Sequence, residues 1–214
     1  MDHVTDETAT GLPSFGHWLT SLVASAALVV GCISFVDLPV ASFVHAHIGP
    51  GKPIALALNA VLLFIPFSAL VLFVCGCATL AGRALPRWAE ALVTAGFSLM
   101  WATACNYFLL QPTFGRLEFG WWLAKGLYGF DWFHGHGGSG FPSGHMTITA
   151  SFLLVFWFFY PRTRILLAAL VAAEAAGVVL LNWHFVSDAL GGAFLGATAA
   201  IMTTAMFVKR DAGH

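Results

Sequence analysis

The chain has 214 residues, of which 59% are hydrophobic and only 9% are charged, and its formal net charge is −1. This composition is too apolar for a soluble domain and indicates a protein that crosses a membrane several times. A net charge near zero gives no indication of nucleic-acid binding, so membrane lipids are the expected surroundings.

Six apolar segments predict membrane-spanning helices, so the predicted fold class is all-α, a polytopic helical membrane bundle. The predicted spans are residues 18–36, 54–80, 89–110, 143–160, 165–181 and 184–208. Pro66 lies inside the second span and should kink it, because proline cannot donate a backbone hydrogen bond. The predicted units are a polar tail (1–17), a first span with its loop (18–53), a membrane core (54–208) and a basic tail (209–214).

Two connections between the spans carry polar residues. Residues 37–53 are predicted to form a surface loop, and its His45 and His47 offer two metal ligands with no third in evidence. Residues 111–141 form the longest segment between spans. Its aromatic residues from Trp121 to Phe133 predict a short helix lying at the membrane interface.

The distribution of basic residues predicts the orientation in the membrane. Six spans place both termini on one side. That side carries six lysines and arginines and the other carries three, namely Lys52, Arg116 and Lys125. Because basic loops stay in the cytoplasm, the termini are expected there, in a cell inner membrane, with the 111–141 loop facing outward. The acidic first ten residues lack the basic region of a cleavable signal peptide.

The first chemical motif, Pro142-Ser143-Gly144-His145, lies where a glycine-rich loop becomes an apolar helix. A helix start offers free backbone N–H groups and the positive end of the peptide dipole, and small residues let an anion approach. Ser143 can cap the helix and donate its hydroxyl, and His145 can carry a proton near neutral pH. These properties suit a phosphate site. The alternative is a helix cap followed by an interfacial histidine.

The second motif pairs His184 with Asp188, four residues later at the start of the last span. This spacing places both on one helix face, where the carboxylate can orient the imidazole and stabilise its cation. A histidine so held is a good base or nucleophile, and the alternative is a polar helix end with a local hydrogen bond. Together with His145 it indicates phosphoryl transfer, with one histidine attacking phosphorus and the other protonating the leaving oxygen.

With these two motifs, the chain resembles the type 2 phosphatidic acid phosphatase family, which is related to vanadium haloperoxidases. The family consists of metal-independent phosphatases, many acting on lipid phosphates, so the resemblance implies neither a metal nor a cofactor. It implies that His184 is the nucleophile, Asp188 positions it, and His145 is the general acid. It further implies that Ser143 and Gly144 bind phosphate oxygens.

The chain departs from the family pattern at the positions of three phosphate-binding cations. Gln111 stands in place of a lysine, Glu118 in place of an arginine, and Val178 in place of a second arginine. Arg116 is therefore expected to be the main fixed positive charge on the phosphate, since a guanidinium makes two charge-assisted bonds. Lys125, Asn182 and Gln111 itself are possible accessory groups. The alternative for Arg116 is an interfacial anchor.

Three further polar residues have open interpretations. Glu174 lies alone in the fifth span, where it could pair with a histidine, line a polar cavity, or donate a hydrogen bond while protonated. His134 and His136 could bind a metal, although a mobile glycine-rich cover over the site is favoured.

The predicted function is hydrolysis of a phosphate monoester or diphosphate, of a lipid or another phosphorylated small molecule, through a phosphohistidine. The missing cations favour a second hypothesis, a non-catalytic relative that binds or transports a phosphorylated lipid. A haloperoxidase is disfavoured because the chain has no soluble shell. The substrate and the oligomeric state remain open.

Overall fold

A computed structural model describes residues 12–48 and 52–211; most of the polar tail and the last three residues of the basic tail lie outside these ranges. The described residues contain α-helices and no β-sheet, which confirms the all-α prediction. The helices are α1 (Phe15–Phe35), α2 (Asp37–His47), α3 (Lys52–Asn59), α4 (Phe64–Leu80), α5 (Arg87–Cys105), α6 (Gln111–Phe114), α7 (Phe119–Lys125), α8 (Gly144–Phe159), α9 (Arg164–Leu180) and α10 (Val186–Asp211).

Five helical stretches are long and apolar enough to cross a membrane. They are Phe15–Phe35, Ala55–Leu80, Arg87–Phe114, Pro161–Leu180 and Val186–Phe207. The fourth predicted span forms α8, whose 16 residues make it shorter than these five. At 1.5 Å per residue α8 is about 24 Å long, less than the roughly 30 Å of a bilayer core.

The predicted loop at residues 37–53 is wrong in its first part, because Asp37–His47 forms helix α2. Asp37 lies in the first turn, where a carboxylate is favoured by the helix dipole. Ala41 and Val44 face inward and are buried, whereas His45 and His47 are exposed. Residues two apart on a helix do not face each other, so the helical geometry separates this histidine pair.

Two predicted spans contain irregular turns. A 3-10 segment, Ala60–Leu63, precedes Pro66 in the second span. Proline lacks the N–H that would bond to the carbonyl four residues earlier, which disfavours regular α geometry there. The third span continues from α5 as a π-helical turn, Asn106–Leu110, before α6. The short helix predicted between the third and fourth spans is present as Phe119–Lys125.

The core lies where α8 packs against α5 and α10. Its fully buried members include Leu99, Val155 and Ala200, with Ile148 and Phe152 nearly so. Glycines of α10 allow the close approach to α8: a Cβ on Gly196 would lie 2.6 Å from the Ala150 Cβ. This tight contact fixes the start of α8 beside the start of α10, which sets the geometry of the site.

We therefore expect Gly196→Ala to destabilise the protein by about 1–3 kcal/mol, because the added methyl also meets the Ser151 nitrogen at 2.7 Å. The measurement is the thermal denaturation midpoint in detergent. Gly76→Ala is the matched control, since its added Cβ would meet no atom within 4 Å apart from its chain neighbours and its own helix backbone. An unchanged midpoint in Gly196→Ala would contradict close α8–α10 packing.

Candidate phosphate site

The start of α8 is held against α10. Ser143 is fully buried and caps α8, its Oγ accepting from the Met146 N–H at 3.4 Å. The Ser143 N–H donates to the backbone oxygen of Asp188 at 3.0 Å. Gly144 and His145 lie in the first turn of α8, where a backbone N–H group has no carbonyl of the same helix to bond to. These two N–H groups, rather than that of Ser143, are therefore the backbone donors available to an anion.

Two amide side chains hold the loop before α8. Asn106, in the π-helical turn, donates to the Pro142 oxygen at 3.3 Å and to the Thr147 Oγ1 at 2.8 Å. Gln111 donates to the same Pro142 oxygen at 3.2 Å and accepts from the Gly138 N–H at 2.6 Å. Both ends of the Gln111 amide are therefore engaged, which makes it a support for the loop rather than the accessory phosphate ligand suggested by its sequence position.

The two candidate catalytic histidines face each other. The centroids of the His145 and His184 rings are 6.2 Å apart. His184 precedes α10 rather than lying within it, because the helix begins at Val186. A turn presents His184: Asn182 adopts a left-handed φ of 57°, and the His184 N–H donates to the Val178 oxygen at 3.2 Å.

Asp188 lies in the first turn of α10 and is 1% exposed. Its Oδ2 accepts from the Phe185 N–H at 2.9 Å, as a carboxylate at the third helical position commonly does. The same oxygen is 3.6 Å from the Nδ1 of His184, a distance typical of an ion pair but too long for a hydrogen bond. Asp188 is thus close enough to His184 to orient its ring after a small movement.

Arg116 does not face an open phosphate site. Its side chain is 0% exposed and forms an ion pair with Asp37 at 2.8 Å and a second with Asp188 at 3.1 Å. The guanidinium also donates to the Ser187 Oγ at 2.6 Å. Rings of Tyr128, Phe130 and Phe185 surround the guanidinium carbon at 4.7–5.0 Å. The structure therefore differs from the expectation that Arg116 is the main charge on the phosphate, since two carboxylates already compensate it.

Asp37 accepts hydrogen bonds from the other three members of a buried network, Arg116, Tyr128 and Ser187. Its Oδ1 accepts from the Ser187 N–H at 2.9 Å, and its Oδ2 accepts from the Ser187 hydroxyl and, at 3.1 Å, from the Tyr128 hydroxyl. The single hydroxyl proton of Tyr128 is shared with the Ile33 oxygen, at 2.9 Å. Burial raises the pKa of Tyr128 to about 12, with a further rise from Asp37 opposed by Arg116. The phenol therefore stays protonated and remains a donor at physiological pH.

The other candidate phosphate ligands, and the residues that replace the family's cations, are placed as follows. Lys125 is exposed, with its Nζ 4.4 Å from the centre of the Trp121 ring. Glu118 is exposed, and Val178 is fully buried beside Met146. Asn182 has a buried Oδ1 without a hydrogen-bond partner among the described residues. Arg116 forms two ion pairs, with Asp37 and with Asp188.

The three residues with open interpretations lie outside the network around Arg116. His134 is exposed and lies 3.2 Å from the Asp131 carboxylate, and His136 is exposed and contacts its neighbouring Gly137 oxygen. The described residues contain no group of three or more His, Cys, Asp or Glu placed to hold a metal ion. Glu174 is 5% exposed, and its Oε1 has no partner within the described part of the chain.

Sequence reasoning missed several residues that the structure brings to the site. Asp37 and Ser187 are the largest omissions, and Asn59 is another, with its Oδ1 3.5 Å from the His145 Nε2. A signal for Asp37 was present, since a lone acid directly after an apolar span is costly unless it is paired. Its partners were not visible, because Ser187 lies 150 positions further along the chain.

Comparisons with known proteins indicate the family of this chain. The model of the PAP2 superfamily matches residues 91–212. The chain is 29% identical over 102 residues to lipid A 1-phosphatase of Rhizobium johnstonii, an alignment covering 47% of this chain and 42% of that protein. No solved structure matches the chain. The helices and this relative together support an integral membrane protein.

The matched region contains both histidines and Asp188, and it covers more than half of the chain. The chain therefore belongs to the PAP2 superfamily.

Proposed function

We propose that the protein is a membrane phosphatase that hydrolyses a phosphate monoester or diphosphate of a lipid through a phosphohistidine on His184. The observation that carries this proposal is the closeness of the His145 and His184 rings, which are 6.2 Å apart and inclined at 64° beside the start of α8. Family membership and the similarity to a lipid A 1-phosphatase support the reaction class.

The chemistry follows from the placement of these rings. A ring nitrogen of His184 attacks phosphorus, and the bond from phosphorus to the leaving oxygen breaks while that oxygen takes a proton from His145. His145 then removes a proton from water, whose oxygen attacks the phosphohistidine and releases phosphate. The ring centres lie 6.2 Å apart, so both histidines border one site.

The non-bridging phosphate oxygens would meet the N–H groups of Gly144 and His145 and the positive end of α8. Ser143 contributes through the cap that sets this helix start, and Lys125 and Asn182 remain candidate accessory donors. Arg116 acts in this proposal through Asp188, whose Oδ1 it holds at 3.1 Å, leaving Oδ2 on the side of His184. Its role is therefore to position the carboxylate, not to bind phosphate.

One observation favours a second candidate, a non-catalytic protein that binds a phosphorylated lipid. The family's three cation positions are held by Gln111, Glu118 and Val178, and the charge of Arg116 is already compensated. Fixed positive charges stabilise the charge that develops in phosphoryl transfer. A site without them would retain binding through backbone N–H groups while losing rate.

The deciding experiment is phosphate release by the purified protein. We would offer phosphatidic acid, an isoprenyl diphosphate and a soluble phosphomonoester, each with and without a chelator. The proposal expects release from lipid phosphates that the chelator leaves unchanged and that vanadate inhibits as a transition-state mimic. Binding of phosphatidic acid with no release from any substrate supports the second candidate instead. Loss with chelator and restoration by zinc would contradict a histidine-only mechanism.

We further propose that the termini are cytoplasmic and that the site opens on the outer face of the inner membrane, as the bias of basic residues predicts. A cysteine introduced at His134, which is exposed in the 111–141 loop, should react with a membrane-impermeant maleimide added to intact cells. The background is the same protein with its four cysteines replaced by serine or alanine. Reaction only after permeabilisation would reverse the orientation.

A further inference from the structure

The buried charges around Arg116 include two carboxylates but a single guanidinium. Arg116 forms ion pairs with Asp37 at 2.8 Å and with Asp188 at 3.1 Å, and all three side chains are 0–1% exposed. The neighbouring phenol of Tyr128 adds no charge, since burial raises its pKa to about 12. This group of side chains therefore has one net negative charge, and its location decides what it can stabilise.

The hydrogen bonds of Arg116 go to the side of Asp37 and not to Asp188. Its Nη2 donates to the Asp37 Oδ2 at 2.8 Å, and its Nη1 donates to the Ser187 Oγ at 2.6 Å. Ser187 in turn donates both its N–H and its hydroxyl to Asp37. The Asp188 Oδ1 lies 3.1 Å from the same Nη1, yet it accepts no hydrogen bond from the described residues. Asp37 is therefore the stronger partner of the guanidinium, and the charge of Asp188 is only partly compensated.

The other oxygen of Asp188 lies on the side of the proposed nucleophile. Its Oδ2 is 3.6 Å from the His184 Nδ1, and that nitrogen is buried without a hydrogen-bond partner in the described part of the chain. With Nδ1 next to the carboxylate, Nε2 is the ring nitrogen left to attack phosphorus. The rings of Phe130 and Phe185 lie 4.9 and 4.7 Å from the guanidinium carbon and exclude water, so these charges interact with little screening.

The proposed reaction changes the charge of His184. When the Nε2 lone pair forms the bond to phosphorus, the bond to the leaving oxygen breaks, and that oxygen takes the proton of His145. The phosphorylated ring keeps its Nδ1 proton and has gained one positive charge. It loses this charge when water attacks phosphorus, since the electron pair of the N–P bond returns to Nε2 and His145 takes the proton of the water. A net negative charge beside Nδ1 stabilises the intermediate and the transition states that flank it.

We propose that Asp37 is a positioning residue of the reaction, because it pairs with Arg116 and leaves the charge of Asp188 available. That charge then stabilises the phosphorylated ring of His184. This inference rests on the proposed function. Without the charge of Asp37, the guanidinium would pair fully with Asp188, and the carboxylate beside His184 would be compensated. The role is electrostatic and acts through Arg116, so it can be separated from the contribution of Asp37 to packing.

The first variant is Asp37→Asn, which removes the charge with little change in size. Its kcat for phosphatidic acid in mixed detergent micelles should fall at least about tenfold, while KM changes less than about threefold. KM is spared because the N–H groups of Gly144 and His145, which would bind the phosphate, are not among these charges. Asp131→Asn is the matched control, since its carboxylate is 68% exposed, and it should match the wild type. A wild-type kcat in Asp37→Asn would overturn the proposal.

A second pair of variants separates charge from packing. The double variant Asp37→Asn/Arg116→Met again has one net negative charge, now on Asp188 alone. If Asp37 acts through Arg116, the double variant should have a kcat within about threefold of Arg116→Met alone. This comparison decides the matter even where Asp37→Asn by itself does not fold. A loss of about tenfold on adding Asp37→Asn to Arg116→Met would mean that Asp37 acts through packing and would overturn the proposal. So would inactivity of folded Arg116→Met, because Asp188 keeps its charge there.

Vanadate binding provides a measurement that does not depend on turnover. Vanadium accepts a bond from the attacking nitrogen, so bound vanadate places a similar charge on the ring of His184. The Kd for vanadate, measured by calorimetry, should rise about tenfold in Asp37→Asn and return toward the wild-type value in the double variant. If no substrate releases phosphate but vanadate shows this pattern, the phosphatase is wrong and the role of Asp37 stands. If phosphate is released and neither kcat nor this Kd responds to Asp37→Asn, the phosphatase stands and the role of Asp37 is wrong.

Discussion

His184→Ala should reduce phosphate release by at least about four orders of magnitude, because the variant lacks the imidazole that is proposed to form the covalent intermediate. This corresponds to roughly 5.5 kcal/mol of lost transition-state stabilisation. The direct measurement is the phosphorylated protein itself, trapped by rapid alkaline quenching during turnover and located by mass spectrometry. Wild-type protein should carry the phosphate on His184, and the variant should carry none.

The matched control is His134→Ala, since His134 is exposed and contacts Asp131 rather than the facing rings. It should keep wild-type turnover.

The variant Asp188→Asn should turn over more slowly and should also be less stable, because the Asp188 carboxylate pairs with Arg116 as well as lying beside His184. Ordinary turnover by His184→Ala would exclude the phosphohistidine mechanism, and inactivity of His134→Ala would place the chemistry in the loop.

The second large effect is expected at Asp37. Asp37→Ala should destabilise the protein by about 3–5 kcal/mol, because Arg116 is 0% exposed and would lose its 2.8 Å partner inside the protein. The measurement is unfolding in mixed detergent micelles. Glu118→Ala is the control, since this exposed acid belongs to no ion pair among the described residues.

A double-mutant cycle tests the ion pair itself. Adding Arg116→Met to Asp37→Ala should recover at least about 1 kcal/mol, because the stranded charge is removed. The double variant should also keep measurable turnover if Arg116 only positions Asp188. A different outcome would mean that Arg116 binds the phosphate. In that case Arg116→Met abolishes turnover with or without Asp37, and the destabilisation of the double variant equals the sum of the two single variants.

The sequence predicted the features that depend on local patterns. Apolar runs predicted the helical segments. The two motifs predicted that His145 and His184 lie at one end of the helix bundle, and their rings are indeed neighbours. The loop predicted at residues 37–53 was partly wrong, because polar histidines concealed the buried positions Ala41 and Val44 of α2. The predicted role of Arg116 depended on what surrounds it, and its partner Asp37 lies 79 positions away. No local pattern links two such residues.

The position of Asp37 has a consequence for the boundaries of the functional unit. The family match covers residues 91–212, whereas Asp37 is the first residue of α2, well before the matched region. The chain of contacts from Asp37 through Arg116 to Asp188 nevertheless ends 3.6 Å from His184. A shortened protein beginning at residue 54 would keep both motifs. The buried guanidinium of Arg116, beside them, would lack its Asp37 partner. The surroundings of Asp188, at the start of the last helix, therefore depend on a residue in the first quarter of the chain.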